Sequence, residues 1–300
     1  MKHDPVLLQE VLTGLNLQAG ETVLDATLNR AGHAVELAKQ VGKTGTVVGI
    51  DADKNAIAEA KINLEKANTG AKIILLNSNF RNLAELLEQA GINKLDAALF
   101  DLGLSSQQLE ESGRGFSFQK LDEKLLMSFS ENPELTASEV VNHWREETLS
   151  DVIYAYGEER FAKRIAREIV AQRQNKKIET VADLLEIIRN AVPAWYRSKA
   201  RKLHFATKTF QALRIVVNDE LGALKAGLDA VWQKLDEKNG RLAVISFHSL
   251  EAKIVKDFYK AKAEENSGEI LTKHAVKPAR AETLQNPRSR SAQLRIIKKI

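Results

Sequence analysis

Between Glu21 and Asp101 the chain repeats one pattern: a short apolar run closing on acids or small polar residues, a helical stretch, then another apolar run. The runs are Thr22-Val-Leu-Asp-Ala-Thr27, Thr46-Val-Val-Gly-Ile-Asp51, Lys72-Ile-Ile-Leu-Leu76 and Leu95-Asp-Ala-Ala-Leu-Phe-Asp101. Near-continuous apolar strands belong to a sheet covered on both faces. Their alternation with helices predicts an α/β, doubly wound, mostly parallel sheet with right-handed crossovers. Residues 34–41, 55–67 and 82–90 read as the helices, with Gly42, Gly70 and Gly91 placed for left-handed C-caps.

After Asp101 the rhythm breaks, and the next strand-like run, Arg241-Leu-Ala-Val-Ile-Ser-Phe247, is too distant for an ordinary βα connection. Residues 135–190 are strongly helical, and Phe210 to Leu235 reads as one long helix leading into the resumed strand. The expected organisation is a sheet domain of residues 1–108 and 203–300, interrupted by an all-helical insert of residues 109–202. Residues 270–300 carry two apolar stretches around a polar loop, the pattern of a hairpin on the sheet edge. With 44% hydrophobic and 28% charged residues the chain is neither fibrous nor disordered. The absence of cysteine excludes a disulfide framework and a thiolate nucleophile and suits a reducing cytoplasm. No apolar run is long enough for a membrane span or placed for a signal peptide, so a cytoplasmic protein with no membrane partner is expected. The six histidines are scattered, and no metal is expected.

In an open α/β sheet ligands bind beyond the carboxyl ends of the strands, so the residues that end the apolar runs are the first candidates. Three of those ends carry an acid. Asp25 leads into Ala26-Thr-Leu-Asn-Arg-Ala-Gly-His33, a turn before a helix. Asp51 ends the second run, where a carboxylate can accept both hydroxyls of a ribose, and Asp101 ends the fourth, before Leu102-Gly-Leu-Ser-Ser106. Each acid taken singly also reads as a cap for a following helix. Three on neighbouring strands point to a nucleoside-containing cofactor. The chain has no G-x-G-x-x-G after the first run and no G-x-x-x-x-G-K-[ST], so dinucleotides and P-loop nucleotides lack their phosphate cradles. S-adenosylmethionine, an adenosine cofactor without phosphates, fits, with Phe80 either offering a ring face to adenine or serving as ordinary core.

Seven further segments occur in order: His3-Asp-Pro-Val-Leu-Leu8 with Glu10-Val-Leu12, Asp101-Leu-Gly-Leu-Ser-Ser-Gln-Gln-Leu109, Arg114-Gly-Phe-Ser-Phe118, Tyr156-Gly-Glu-Glu-Arg-Phe-Ala-Lys-Arg-Ile-Ala166, Thr209-Phe-Gln-Ala-Leu-Arg-Ile215, Ile245-Ser-Phe-His-Ser-Leu-Glu251 and Asn286-Pro-Arg-Ser-Arg-Ser291. Together they resemble the MraW/RsmH-type S-adenosylmethionine-dependent methyltransferases, which N4-methylate a cytidine in the decoding centre of small-subunit (16S) ribosomal RNA. The resemblance implies a Rossmann-like class I methyltransferase. Its cofactor would touch the Ala31-Gly32-His33 turn, Asp51, Phe80, Asp101 and Gln108, and its insert would hold RNA of the small ribosomal subunit.

This chain departs from the family pattern at named positions. The family's cofactor turn reads T-x-G-x-G-G-H-S, against which Asn29, Ala31 and Ala34 stand for two glycines and a serine. A left-handed Ala31 costs about 1–2 kcal/mol, about tenfold in affinity if taken wholly from binding, whereas Asn29 visits that region readily. Weakened rather than abolished cofactor binding is expected. Leu126 and Ser128 replace an acid and an arginine of D-G-P-L-D-M-R-M, and Phe205 and Lys208 replace a proline and an arginine of H-P-A-T-R-T-F, which bears on substrate positioning.

Methyl transfer to an exocyclic amine is an in-line displacement in which the protein chiefly aligns the reactants. The contacts to the amine are expected from the loop of Asp101 and Ser105, or from Ser246 and His248 after the resumed strand. His248 reads equally as a helix-capping residue. For RNA, Arg160, Arg164 and Arg167 recur at helical spacing on a face distinct from Phe161, Ile165 and Ile169. Residues 197–208, including Lys208, and residues 286–300, including Arg288 and Arg290, contain cations and no acid; Arg214 lies in a family segment. Each run alone suits a solvated face, but three on a chain of net charge +4 favour phosphate contact. The competing reading is a catalytically weakened relative acting as an RNA-binding or ribosome-assembly protein. A small-molecule methyltransferase leaves the basic insert unexplained, and the oligomeric state is left open.

Overall fold

The computed structural model describes residues 5–104, 112–130, 132–198 and 203–300. Contacts divide the chain into two compact units, one of Met1–Gly103 with Leu221–Ile300 and one of Leu104–Glu220. The first holds strands β1 (Thr22–Asp25), β2 (Thr46–Asp51), β3 (Lys72–Asn77), β4 (Ala97–Asp101), β5 (Arg241–Ser246), β6 (Gly268–Ile270) and β7 (Gln293–Lys299) in the order β3-β2-β1-β4-β5-β7-β6. β1 to β5 run parallel, while β7 pairs antiparallel with both β5 and β6. The order 3-2-1-4-5 is that of a Rossmann-like doubly wound sheet, and it reverses at β1, between β2 and β4.

Alternation along the strands supplies both faces. Val23, Val47, Ala97, Leu99, Ala243 and Ile245 pack toward helices α1 (Leu8–Leu15), α2 (Gly32–Val41) and α3 (Lys54–Ala67). Leu24, Val48, Ala98, Phe100, Leu242 and Val244 pack toward α4 (Leu83–Gln89) and the two helices that flank β5. Burial of each such side chain contributes about 1.5–3 kcal/mol, which is why the runs read as continuously apolar. The helices begin and end within two residues of the expected bounds. The expected caps are corrected in two respects. Gly42, Gly70 and Gly91 all have positive φ, but Gly42 caps α2 at φ 64° and ψ −165°, outside the left-handed helical region, and Asn68 takes the left-handed cap of α3, at φ 43° and ψ 47°. Asparagine tolerates that conformation, so the glycine two residues on is left to the turn.

The second unit contains α5 (Ala137–His143), α6 (Glu146–Gly157), α7 (Ala162–Arg173), α8 (Val181–Ala191) and α9 (Thr207–Asn218). α5 and α8 each open with a capping box, Thr136 with Glu139 and Thr180 with Asp183, so both ends of the pattern are written in the sequence. Where sequence reading ran one helix from Phe210 to Leu235, the chain breaks at Asp219, with φ 43° and ψ 48°, and restarts as α10 (Glu220–Lys234). Asn218 explains the stop. Its side chain accepts from the Phe129 N–H at 2.9 Å and donates to the Met127 carbonyl at 2.8 Å, tying the helix end to that loop. α9 thereby belongs to the helical unit, not to the sheet unit in which sequence reading placed it. β5 is followed by α11 (Ser249–Glu264), and α12 (Arg280–Gln285) precedes β7.

α6 and α9 approach through Gly157, where an added Cβ would overlap the Lys208 carbonyl oxygen and stand 3.1 Å from its carbon. Backbone cannot step aside as a flexible side chain does. Gly157→Ala, which gains about 1 kcal/mol in helix propensity, is therefore expected to lose about 1–3 kcal/mol net through overpacking, read as a lower urea midpoint.

Candidate functional site

The segment after β1 is stitched to the strands on either side of it. The Ala26 and Leu28 N–H groups donate to Leu99 and Ile50 carbonyls, both at 2.9 Å. The Asn29 N–H donates to Asp51 Oδ2 at 2.8 Å, and the Asp101 N–H donates to Thr27 Oγ1 at 2.6 Å. One turn thus gathers the carboxyl ends of β1, β2 and β4 at the point where strand order reverses. The turn is tight enough to put Asn29 at φ 47° and Ala31 at φ 62°, two positions at which the family pattern has a glycine that this chain lacks. Ala31 is fully buried and is the N-cap of α2, so the strained residue also orients that helix's first N–H groups.

Three carboxyls converge there. Asp25 is 1% exposed and accepts a long bond from the Thr27 N–H, at 3.2 Å. Burial, with the charge of Asp51 adding to it and the Thr27 bond opposing, pushes its carboxyl up to about 7. Asp51 receives the Asp53 N–H on Oδ1 and the Asn29 N–H on Oδ2, both at 2.8 Å, yet burial still lifts it to about 6. Each of its oxygens keeps a lone pair for a further donor. Asp101 is held well above the usual carboxylate range by burial and then by Asp25 and Glu251. Its Oδ1 is buried without a hydrogen-bond partner among the described residues, and its Oδ2 lies 3.5 Å from His33 Nδ1. His33, 5% exposed, sets its Nε2 2.9 Å from the Val6 carbonyl.

The structure brings Asp25, Ala31, Gly32, His33, Asp51 and Asp101 together. Phe80 begins a 3-10 turn after β3 and meets Phe100 edge-on, ring centroids 5.6 Å apart, so at least one edge of its ring is core. Ser105 and Gln108 lie outside the described residues. One expectation for contact with the reacting amine is corrected. Ser246 is 1% exposed and donates its hydroxyl to the Gln293 carbonyl of β7 at 3.3 Å, which commits it to the sheet. His248 is the N-cap of α11, its Nδ1 accepting the Glu251 N–H at 3.3 Å, while its Nε2, 3.1 Å from Glu251 Oε1, is buried without a hydrogen-bond partner among the described residues. Sequence reading missed Thr27 and Glu251. The signal for Glu251 was the capping-box spacing His248-x-x-Glu251 directly after a strand, and for Thr27 a hydroxyl two residues beyond a strand-end acid.

The expected RNA contacts also separate. In the helical unit Arg160 and Arg164 are exposed and lie against Phe161, 4.9 and 5.9 Å from its ring centroid. Arg167 lies 3.8 Å from Glu146, an exposed pair of little worth. Lys208 Nζ donates to the Glu158 carbonyl at 2.6 Å. Arg214 is corrected outright, because its fork is bidentate on Glu220, at 2.7 and 2.9 Å, and is turned inward. Arg288 and Arg290 are exposed on a 3-10 helix of the sheet unit.

Two measurements follow from the turn. A carboxyl raised by folding makes the folded state bind more protons than the unfolded one, so its contribution falls as pH rises from about 4 through its folded value. The unfolding free energy of Asp25→Asn minus that of the native chain should therefore grow between pH 4 and pH 8; a difference flat with pH would contradict the burial described. Ala31→Gly should raise stability by about 0.5–1 kcal/mol, the relief of about 1–2 kcal/mol less the entropy of a freer unfolded glycine, in a urea titration.

The sequence profile of the MraW methylase family matches residues 1–300. The chain is 42% identical over 296 residues to Ribosomal RNA small subunit methyltransferase H of Dictyoglomus thermophilum, covering 98% of this chain and 95% of that one. It is 41% identical over 313 residues to the protein of the same name from Symbiobacterium thermophilum, covering 99% and 96%. With that from Clostridioides difficile it shares 40% over 315 residues, covering 99% of each. A strand-end carboxyl cluster on a left-handed turn, a doubly wound sheet and a match over the whole length agree: the chain belongs to the MraW methylase family.

Proposed function

We propose that this chain transfers the methyl group of S-adenosylmethionine to the exocyclic N4 of a cytidine in the decoding centre of small-subunit (16S) ribosomal RNA, with the helical unit holding the RNA. The observation that carries the reading is the convergence of Asp25, Asp51 and Asp101, with one buried carboxylate oxygen of Asp101 left without a partner among the described residues. Such a site is too acidic to be at rest with itself, and a cationic cofactor balances it. The names of the relatives support the ribosomal RNA substrate.

When bound, S-adenosylmethionine supplies an electrophilic methyl group on a positively charged sulfur. The residues then have three tasks. Asp51 takes ribose hydroxyls on the lone pairs that its two backbone donors leave, and Phe80 presents its ring to adenine. The Ala31 N–H is spent on the Leu28 carbonyl at 2.7 Å, so the N–H groups of Gly32 and His33 would orient the cofactor's polar end at the start of α2. Asp101 Oδ1 would accept an N–H of the cytosine amine, which would orient the amine nitrogen toward the methyl group that the cofactor supplies. A carboxyl raised by burial is a stronger base once ionised, and a sulfonium beside it favours that ionised form, so Asp101 is also the group that receives the amine proton.

One observation favours a second reading. Ala31 at φ 62° spends strain where the family pattern has glycine, which suits a weakened relative that binds RNA and assists ribosome assembly without turnover. The test is transfer of radiolabelled methyl from S-adenosylmethionine to small subunits lacking the modification, with the labelled nucleotide identified by digestion and mass analysis. Label on cytosine N4 is the expected result. No label, with subunit binding intact, would establish the second reading instead. By calorimetry, Asp51→Asn should weaken S-adenosylmethionine by about tenfold or more through loss of a charged acceptor.

A further inference from the structure

We propose that Trp195, with the Arg160 guanidinium laid against its ring, is a stacking platform for one unstacked base of a single-stranded RNA. This rests on the reading of the helical unit as the RNA-holding part. Trp195 stands on the short turn Ala194–Arg197 and is 56% exposed, an unusual cost for an indole in water. It is nevertheless held rigidly. Tyr196 and Phe161 meet it edge-on, with centroids 5.7 and 6.1 Å away. The Arg160 guanidinium carbon lies 4.5 Å from the Trp195 centroid and 5.4 Å from that of Tyr196. The foundation is a buried carboxyl. Glu159, fully buried, accepts the Tyr196 hydroxyl at 2.5 Å and the Phe161 N–H at 2.9 Å, locking two of the three rings and the backbone that carries Arg160.

The chemistry of that surface selects its occupant. Unpaired bases stack on aromatic rings and on guanidinium planes, whereas a duplex keeps its base faces covered. Exposed Lys163, Arg164 and Arg197 on the same two segments supply phosphate attraction beside the ring. With Phe161, Tyr196 and the Arg160 guanidinium against a ring that has two χ angles, little side-chain entropy is lost when a base arrives.

The experiment measures binding of the full chain to a fluorescent single-stranded RNA of mixed sequence and to the same strand annealed to its complement. Trp195→Leu should weaken the single strand by roughly 5- to 100-fold, leave the duplex unchanged and leave the salt slope unchanged, because no phosphate contact is removed. Trp195→Phe should restore most of the loss, and equal melting temperatures show that both variants fold. Equal single-strand affinity for Trp195→Leu and the native chain would overturn the platform, as would a parallel loss on duplex. Weaker binding to assembled small subunits with single-strand binding intact would overturn it in favour of a ribosomal-protein contact. Failure of the methylation reading is separate: it leaves cytosine unlabelled whatever Trp195 does.

Discussion

Backbone amides of one short turn hold the sheet unit's chemistry together. The Asn29 N–H on Asp51 Oδ2 and the Asp101 N–H on Thr27 Oγ1 join the three strand ends whose carboxyls converge. Because these bonds run through the main chain, their geometry is set by φ and ψ, and the two left-handed residues of the turn are the means of setting it. Removing the strain by letting Ala31 relax to a right-handed conformation would swing the start of α2 and uncouple His33 from Asp101. The strain and the site are one feature.

The same turn explains why the carboxyls there are raised. A buried carboxylate is tolerated when it collects two or three N–H donors, and Asp51 collects two. Asp25 and Asp101 collect less, since the amides around them are already spent on sheet and turn carbonyls. Their unmet demand is the stored electrostatic energy that a cation relieves. The helical unit solves a comparable problem differently, giving buried Glu159 a phenol and an amide.

Most of the sheet was legible in the sequence because burial on two faces leaves little choice of residue, and the three strand-end acids stood out against that apolar background. The turn's departures were legible too, since Ala31 and Asn29 occupy positions where a left-handed backbone was expected. What escaped were matters of partner choice. Nothing in Phe210 to Leu235 marks the stop at Asp219, because it is imposed by Asn218 reaching a loop some ninety residues away in sequence, at separations of 89 and 91. Ser246 and His248 carry hydroxyl and imidazole at a strand end, yet the hydroxyl is taken by Gln293 and the imidazole Nδ1 by the Glu251 N–H. Arg214 reads as a surface cation until Glu220 is seen across one helical break. Patterns report where a residue faces; they do not report who answers it.

β7 sits between β5 and β6 and bonds to both, so the sheet unit is interrupted by the helical unit in sequence and completed only by residues 293–299. The helical unit is one unbroken stretch, Leu104–Glu220. During synthesis the two therefore mature in an unexpected order. The segment flanked by the sheet can close its core while the sheet still waits, with β5 an open edge, for a strand made after both. A nascent chain of this architecture acquires its helical surface before it acquires a finished methyl-transfer site.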